Sequence, residues 1–298
     1  MVARRVCFLL ERADPPRPSP VVDRAIALLT ERGASVSTVY PEELLWRLDR
    51  LSVEADVYVL KSNTELALSL AAALEGIGAR VVNSHAATAR TTNKVRAAGT
   101  LIRAGIPTPR SLATARPSQL TAEVASGCAL ILKPHRGHFG KGIVVARSPA
   151  DLPTPDAFSD RDLVFAQDYL AGANTDLKVY VIGETVLGVR KPFVPGTSFA
   201  RTGEPAPLAP AVEQIAWQVG QAFGLELYGL DVAEDEDGGA YVIDVNAAPS
   251  YRGLPSAADR LVDYILSSRD IPQPTRRLDA RAELAGREPV SEVRQSFF

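Results

Sequence analysis

Lysine is scarce in this chain of 298 residues: of its 33 basic residues only Lys61, Lys94, Lys133, Lys141, Lys178 and Lys191 are lysines. Where arginine does the general work of carrying positive charge, each retained lysine marks either chance or a place that needs a compact ammonium rather than a planar fork. Cysteine is scarcer still. Cys7 and Cys128 each sit in an apolar, strand-like run and read as buried free thiols, which argues against a disulfide framework or a cysteine metal site. Long apolar runs are missing too, and none approaches the roughly 20 residues of a membrane span. The run from Val6 to Leu10 is too short for a signal sequence and is followed at once by Glu11. A formal net charge of -2 gives no reason to expect nucleic acid as the main partner. The expectation is a soluble, cytoplasmic protein.

What is present is enough apolar residue, 46%, for a substantial core, with 23% charged residues around it. From residue 4 to residue 83 strand and helix signals alternate. "RRVCFLL", "ASVSTVY", "ADVYVLKS" and "ARVVNS" read as strands, while Val21 to Glu31 and "TELALSLAAALEGIG" read as helices. Such βαβ alternation implies a small parallel sheet, whose ligands gather at the carboxyl ends of strands, where Lys61, Ser62 and Asn63 lie. Lys61 either reaches toward a substrate from there or edges the core.

From about residue 86 the rhythm changes. "TTNKVRAAGTLIRAGIPTP" reads as a helix that breaks at Gly105 and Pro107. "CALILKPHRGHFGKGIVVARS" is a strand, a basic glycine loop and a second strand, and "DLVFAQDYL" is another strand. A hairpin turns near Gly183 and Glu184, a helix spans Ala211 to Phe223, and "LYGLDVAEDEDGGAYVIDVN" gives two strands joined by an acidic turn. After Tyr264 the chain becomes polar and punctuated by proline, a mobile or partner-bound tail.

Residues two apart on a strand share a face, so Asp244 and Asn246 project together, and the hairpin brings Asp231 opposite Asp244 or near it. Three oxygen ligands without His or Cys suit Mg²⁺ or Mn²⁺, with phosphate oxygens completing the shell. In "HRGHFGKGIVV", Gly137, Gly140 and Gly142 let the backbone approach a ligand while His138 and Lys141 add charge. It is not a Walker loop, because strands flank it on both sides. With Lys133 at the end of the preceding strand, loop and acidic face together suggest a nucleoside triphosphate and its metal; a hairpin turn and a solvated sheet face are the plainer alternatives.

On these motifs the chain from about residue 50 to residue 265 resembles the ATP-grasp enzymes, particularly the RimK-like amino-acid ligases. The resemblance implies an ATP-grasp fold, mixed α/β and α+β, preceded by a small Rossmann-like parallel-sheet domain. It implies boundaries at 1–90 for the first domain and 91–270 for the ATP-grasp domain. The latter divides into a small subdomain at about 91–165 and a large one at about 166–270, with 271–298 as tail. It implies ATP and Mg²⁺ as cofactors. Lys94 and Lys133 would contact the nucleotide phosphates under a glycine loop that closes over them. Gln167, Asp168, Tyr169 and Leu170 would form the hinge whose backbone reads adenine, and Asp176 would lie near the ribose. Asp231, Asp244 and Asn246 would hold the metal.

Departures from the family pattern leave two chemistries open. Lys178 stands where Arg is usual, Asp244 where Glu is usual, and Ser250 where Gly is usual. "VNAAPSYRGL" resembles a form found among RimK-like proteins, whereas "KVYVIGE", "RKP" and "VIDVN" also resemble inositol-phosphate kinases of the same fold. The leading expectation is a carboxylate–amine ligase working through an acyl phosphate on a small-molecule or short-peptide substrate. Lys178 with Arg190 or Lys191 would face the transferred group. Arg252 would fork onto a substrate carboxylate unless it is merely a solvated loop residue. The alternative is a kinase of a phosphorylated polyol, with His135, His138, Arg190, Lys191 and Arg201 as phosphate-binding candidates. A homo-oligomer is left open.

Overall fold

Strand β1 (Arg5–Leu10) is apolar on both faces, and its alternate residues enter two different cores. Val6 and Phe8 pack beneath helix α1 (Pro20–Glu31), while Cys7 and Leu9 pack toward Leu68, Leu70 and Leu74 of helix α2 (Glu65–Gly76). Burial on both faces is the mark of a parallel sheet. Here β2 (Ser35–Val39) and β3 (Val57–Lys61) both pair in parallel with β1, and β4 (Val81–Val82) pairs with β3, in the order β2-β1-β3-β4. The computed structural model describes residues 3–12, 19–134, 143–153, 163–170, 175–192 and 203–267, without the side chains of residues 175, 176 and 192. Both cysteines are free thiols; Cys7 is buried as expected, but Cys128 precedes its strand and is only half-buried.

Two helices then lead away from the first sheet, α3 (His85–Thr91) and α4 (Lys94–Arg103). The helix expected from Thr91 ends before Gly105 as read, but it starts later, because Asn93 caps α4 by accepting from the Val95 and Arg96 N–H groups at 3.0 and 3.2 Å. Next come β5 (Ser111–Thr114), helix α5 (Thr121–Ala125), β6 (Leu130–Pro134), β7 (Val144–Ala146) and β8 (Val164–Asp168). These four strands form an antiparallel sheet in the order β5-β8-β6-β7. The division expected between residues 165 and 166 falls inside β8, which pairs on both sides within this sheet.

The third sheet is antiparallel and five-stranded. Strands β9 (Thr175–Ile182) and β10 (Thr185–Pro192) make the expected hairpin, turning at Gly183 with φ 57. β11 (Glu204–Ala206), helix α6 (Pro210–Phe223), β12 (Leu227–Glu234) and β13 (Ala240–Asn246) follow, and the order is β11-β10-β9-β12-β13. One face packs on α6 through Leu177, Val179, Leu230 and Val245. The other face turns Tyr180, Val189 and Leu227 toward the parallel sheet. Helix α7 (Ala257–Ser267) returns to pack on α1, so a single apolar cluster runs from the first strand to the last helix. None of the helices described is long and apolar enough to cross a membrane.

Candidate nucleotide and metal site

Three neighbouring strands place three charged residues in one row. In the ladders of the five-stranded sheet Lys178 on β9 stands opposite Asp231 on β12, and Asp231 stands opposite Asp244 on β13. Two carboxylates directly opposite each other repel unless a cation lies between or beside them. Here lysines supply it. Lys178 Nζ donates to Asp231 Oδ1, and Lys94 Nζ, from the first turn of α4, donates to Asp244 Oδ1 and Oδ2 at 3.1 and 3.0 Å. Burial pushes the Asp244 carboxyl up, but the charges of Lys94 and Lys133 outweigh that and hold it below the ordinary carboxylate value.

β13 does not alternate cleanly. A bulge falls between the Asp231–Asp244 and Val232–Val242 pairs, leaving Ile243 as the extra residue. Val242 and Val245 are buried three residues apart, and Ile243 is half-buried at the edge of a cleft. The bulged carbonyl of Ile243 accepts from Lys133 Nζ at 3.4 Å. Lys133, 7% exposed, also donates to Gln167 Oε1 at 2.9 Å and touches no carboxylate within hydrogen-bond reach among the described residues. Burial therefore pushes its pKa down to about 8, with the more distant Asp244 pulling the other way. Lys94, Gln167, Ile243 and Asp244, with Phe165 and Leu101, line a narrow cleft. It lies where the four-stranded sheet meets α4 and β13.

A scan against family models matches residues 91–264 to the RimK-like ATP-grasp domain. This chain belongs to the RimK-like ATP-grasp family. Among curated relatives, the α-aminoadipate–LysW ligase LysX of Saccharolobus solfataricus is 23% identical over 235 residues, covering 74% of this chain and 86% of that protein. A protein of Haemophilus influenzae named a probable α-L-glutamate ligase is 29% identical over 220 residues, covering 68% of this chain and 72% of that protein. In fold the chain is similar to the ATP-grasp ligase PsnB, solved in complex with minimal precursor, Mg and ADP. That likeness has a TM-score of 0.62 at 22% identity and covers 87% of this chain and 96% of the other.

Within this ATP-grasp protein, the other residues singled out from the sequence are placed as follows. Asn246 follows Asp244 on the same stretch of strand and is exposed; its Oδ1 accepts from the Ala248 N–H at 2.9 Å, an Asx turn. Lys191 pairs in register with Asp176, two places along from the Val189–Lys178 pair, so it shares the face of Lys178 and is 4% exposed. Arg190 does not. It stands opposite Leu177, on the α6 face, where its guanidinium forks onto Glu234 at 2.5 and 3.2 Å. One residue of register decides this, because successive side chains alternate faces. The side chain of Asp176 lies outside the described residues, as do Gly137, His138, Gly140, Lys141 and Gly142 of the glycine loop, and with them His135 and Arg201. The tail from residue 268 lies outside them too.

The expected hinge is partly committed to the protein itself. The Asp168 and Tyr169 N–H groups donate to the Arg110 and Ala129 carbonyls at 3.0 and 2.9 Å, and the Asp168 carboxylate pairs with Arg110. Tyr169 lies under the Arg147 guanidinium, 5.1 Å from the ring centroid, and Leu170 is half-buried. Among the described residues no three Asp, Glu, His or Cys side chains cluster as a metal site, so the candidate set remains two carboxylates and a carboxamide. Arg252 is exposed and has no ion-pair partner among the described residues. Sequence reasoning did not single out Asn83. Its only signal is a polar residue at the carboxyl end of the apolar "ARVV" strand, yet it is 1% exposed and bonded on every side.

Proposed function

We infer that this chain is an ATP-dependent carboxylate–amine ligase, forming an amide or peptide bond through an acyl phosphate. The observation that carries the reading is the in-register row of Lys178, Asp231 and Asp244 with Lys94 beside it, in a chain of the RimK-like ATP-grasp family. Curated relatives of that family are named as ligases, which disfavours the kinase alternative.

The opposed carboxylates fit Mg²⁺ or Mn²⁺, since both are hard oxygen donors whose mutual repulsion a divalent cation removes. Asp231, Asp244 and Asn246 would hold the ion, which when bound neutralises phosphate charge. Lys94 and Lys178 would then exchange their carboxylate partners for phosphate oxygens. Lys133, already desolvated and bonded among the described residues to neutral oxygens alone, would meet the nucleotide with no ion pair to break there. The chain from Gln167 to Leu170, beside the narrow cleft lined by Phe165, Gln167 and Leu101, would face the base. In the first step a substrate carboxylate oxygen attacks the γ-phosphorus and ADP leaves. In the second an amine attacks the acyl carbon, phosphate leaves and a proton is released. Positioning and charge compensation are what the protein contributes to such steps.

For the acceptor, amino acids or short peptides fit best. The relatives' names specify aminoadipate with LysW, and glutamate, while PsnB was solved with a precursor. Arg252, exposed just past the metal loop, would fork onto the substrate carboxylate, and Lys191 would face the transferred group beside Lys178. The test is an ATP assay against paired panels of carboxylates and amines. ADP together with free phosphate, released only when both partners are present, supports the ligase. ADP without free phosphate, with phosphate found on a polyol, would replace this reading with a kinase.

A further inference from the structure

Two side chains of the parallel sheet reach the chain around the acidic row. Lys61, the last residue of β3, donates through Nζ to the Pro249 carbonyl at 2.6 Å, with its ammonium 5.2 Å from the centroid of the Tyr251 ring. Asn83 lies just past β4, the next strand of the same sheet. Its Nδ2 donates to the Leu227 and Ala247 carbonyls at 2.6 and 2.8 Å, and its Oδ1 accepts from the Glu226 and Leu227 N–H groups at 2.8 and 3.0 Å. A carboxamide offers two donors and an acceptor oxygen with two lone pairs, so every bond it can make is made.

The gripped positions matter more than their number. The β12–β13 ladder ends at the Gly229–Asn246 pair, and beyond it the strands no longer bond to each other. Asn83 bridges that gap by binding Leu227 at the start of β12 and Ala247 just after β13. Lys61 holds the carbonyl two residues further on. Between them they fix the chain just after Asn246 and the entry of the strand that carries Asp231. The loop they hold is constrained in its own right. Tyr251 is fully buried at φ 54, a left-handed conformation uncommon for a bulky side chain, and its ring centroid is 5.4 Å from that of Tyr180. Pro249 packs close to Gly229, where an added Cβ would meet Pro249 Cβ at 3.1 Å. A chain so held has little freedom to adjust if one grip is lost.

We propose that Lys61 and Asn83 are positioning residues through which the N-terminal sheet holds Asn246 and Asp231 at the spacing a bound divalent cation requires. This rests on the metal reading above. The first domain then does more than cover one face of the site; it helps to shape the metal ligands from a distance. Groups that orient ligands in this way typically affect metal affinity nearly as strongly as the ligands themselves.

Mn²⁺ binding, followed by electron paramagnetic resonance in the presence of a non-hydrolysable ATP analogue, tests this without turnover. Lys61→Met is expected to weaken Mn²⁺ binding about 10-fold, to leave metal-free nucleotide affinity and the melting temperature close to wild type, and to be largely rescued in Lys61→Arg. Asn83→Ala is expected to weaken Mn²⁺ binding likewise; if it fails to fold, the Lys61 pair of variants decides. Asp244→Asn separates the two levels of inference. If Asp244→Asn leaves Mn²⁺ affinity unchanged, the metal site itself is wrong and this inference falls with it. If Asp244→Asn weakens binding but Lys61→Met binds Mn²⁺ as tightly as wild type, the metal site stands and the positioning role is overturned.

Discussion

The face of the five-stranded sheet and the ends of the other two sheets treat lysine in opposite ways. On the sheet face, Lys178 and Lys94 lie against Asp231 and Asp244, and each charge has a counter-charge at contact. At the strand ends, Lys133 and Lys61 are held by neutral oxygens of Gln167, Ile243 and Pro249, and burial drives their pKa values down to about 8 and about 7. The difference is one of readiness. A paired lysine must give up a carboxylate before it can hold a phosphate. Lys133, desolvated and held by neutral oxygens, has already lost its water, a charge destabilisation on the order of 3 kcal/mol that a bound anion would offset.

The comparison breaks most visibly at the sheet face. Asp244→Asn keeps the shape but removes the anion opposite Asp231, and turnover is expected to fall at least about 100-fold while circular dichroism stays unchanged, the scale on which a lost charged contact to a transition state is felt. A variant within a few-fold of wild type would sink the metal assignment. Lys178→Met should come next. It removes the ammonium bonded to Asp231 and a charge from the row, so kcat is expected to drop about 10-fold or more with little change in nucleotide affinity. A selective rise in nucleotide Kd would instead move Lys178 to the binding side of the comparison.

Lys133, unlike the positioning residue Lys61, is expected to show the reverse split. Lys133→Ala should weaken ATP binding about 10-fold, as expected for a hydrogen bond to a charged group, when measured by calorimetry. The pH dependence sharpens the point. Below about 8 Lys133 carries its proton before ATP arrives, so binding needs none from solvent. Above about 8 the free protein holds a neutral amine, and binding phosphate requires proton uptake. Affinity should therefore fall as pH rises, approaching about tenfold per unit, and Lys133→Ala should flatten that slope. An unchanged slope in the variant would assign the titration to another group. The smallest effect is expected at Arg110, whose pairs with Asp168 and Glu123 are substantially exposed. Arg110→Gln should leave the melting temperature within error of wild type, because exposed ion pairs are screened and cost side-chain entropy.

The opposition of Asp231 and Asp244 could be read in advance because a hairpin's register is set over a few residues by its turn. The row's third member followed once β9 paired with β12. The N-terminal βαβ rhythm and the β9–β10 hairpin were legible for the same reason: alternation, helical spacing and turn residues are local properties. Helix α4 was legible in type but not in extent, since its start depends on the Asn93 cap. What the residues could not show was which side of the sheet Arg190 would take relative to Lys178, because only observed pairing counts the register. They also gave no sign of the bulge that turns the Ile243 carbonyl toward Lys133.

Local periodicity thus determined the kinds of elements, the acidic hairpin and the set of lysines worth watching. Tertiary structure decided which of those lysines met carboxylates and which met neutral oxygens. It also brought α7 back onto α1 and carried Lys61 and Asn83 to carbonyls far along the chain. The physical reason is that an apolar face specifies burial but not its partner, and a polar side chain at a strand end takes its meaning from whatever the fold delivers there.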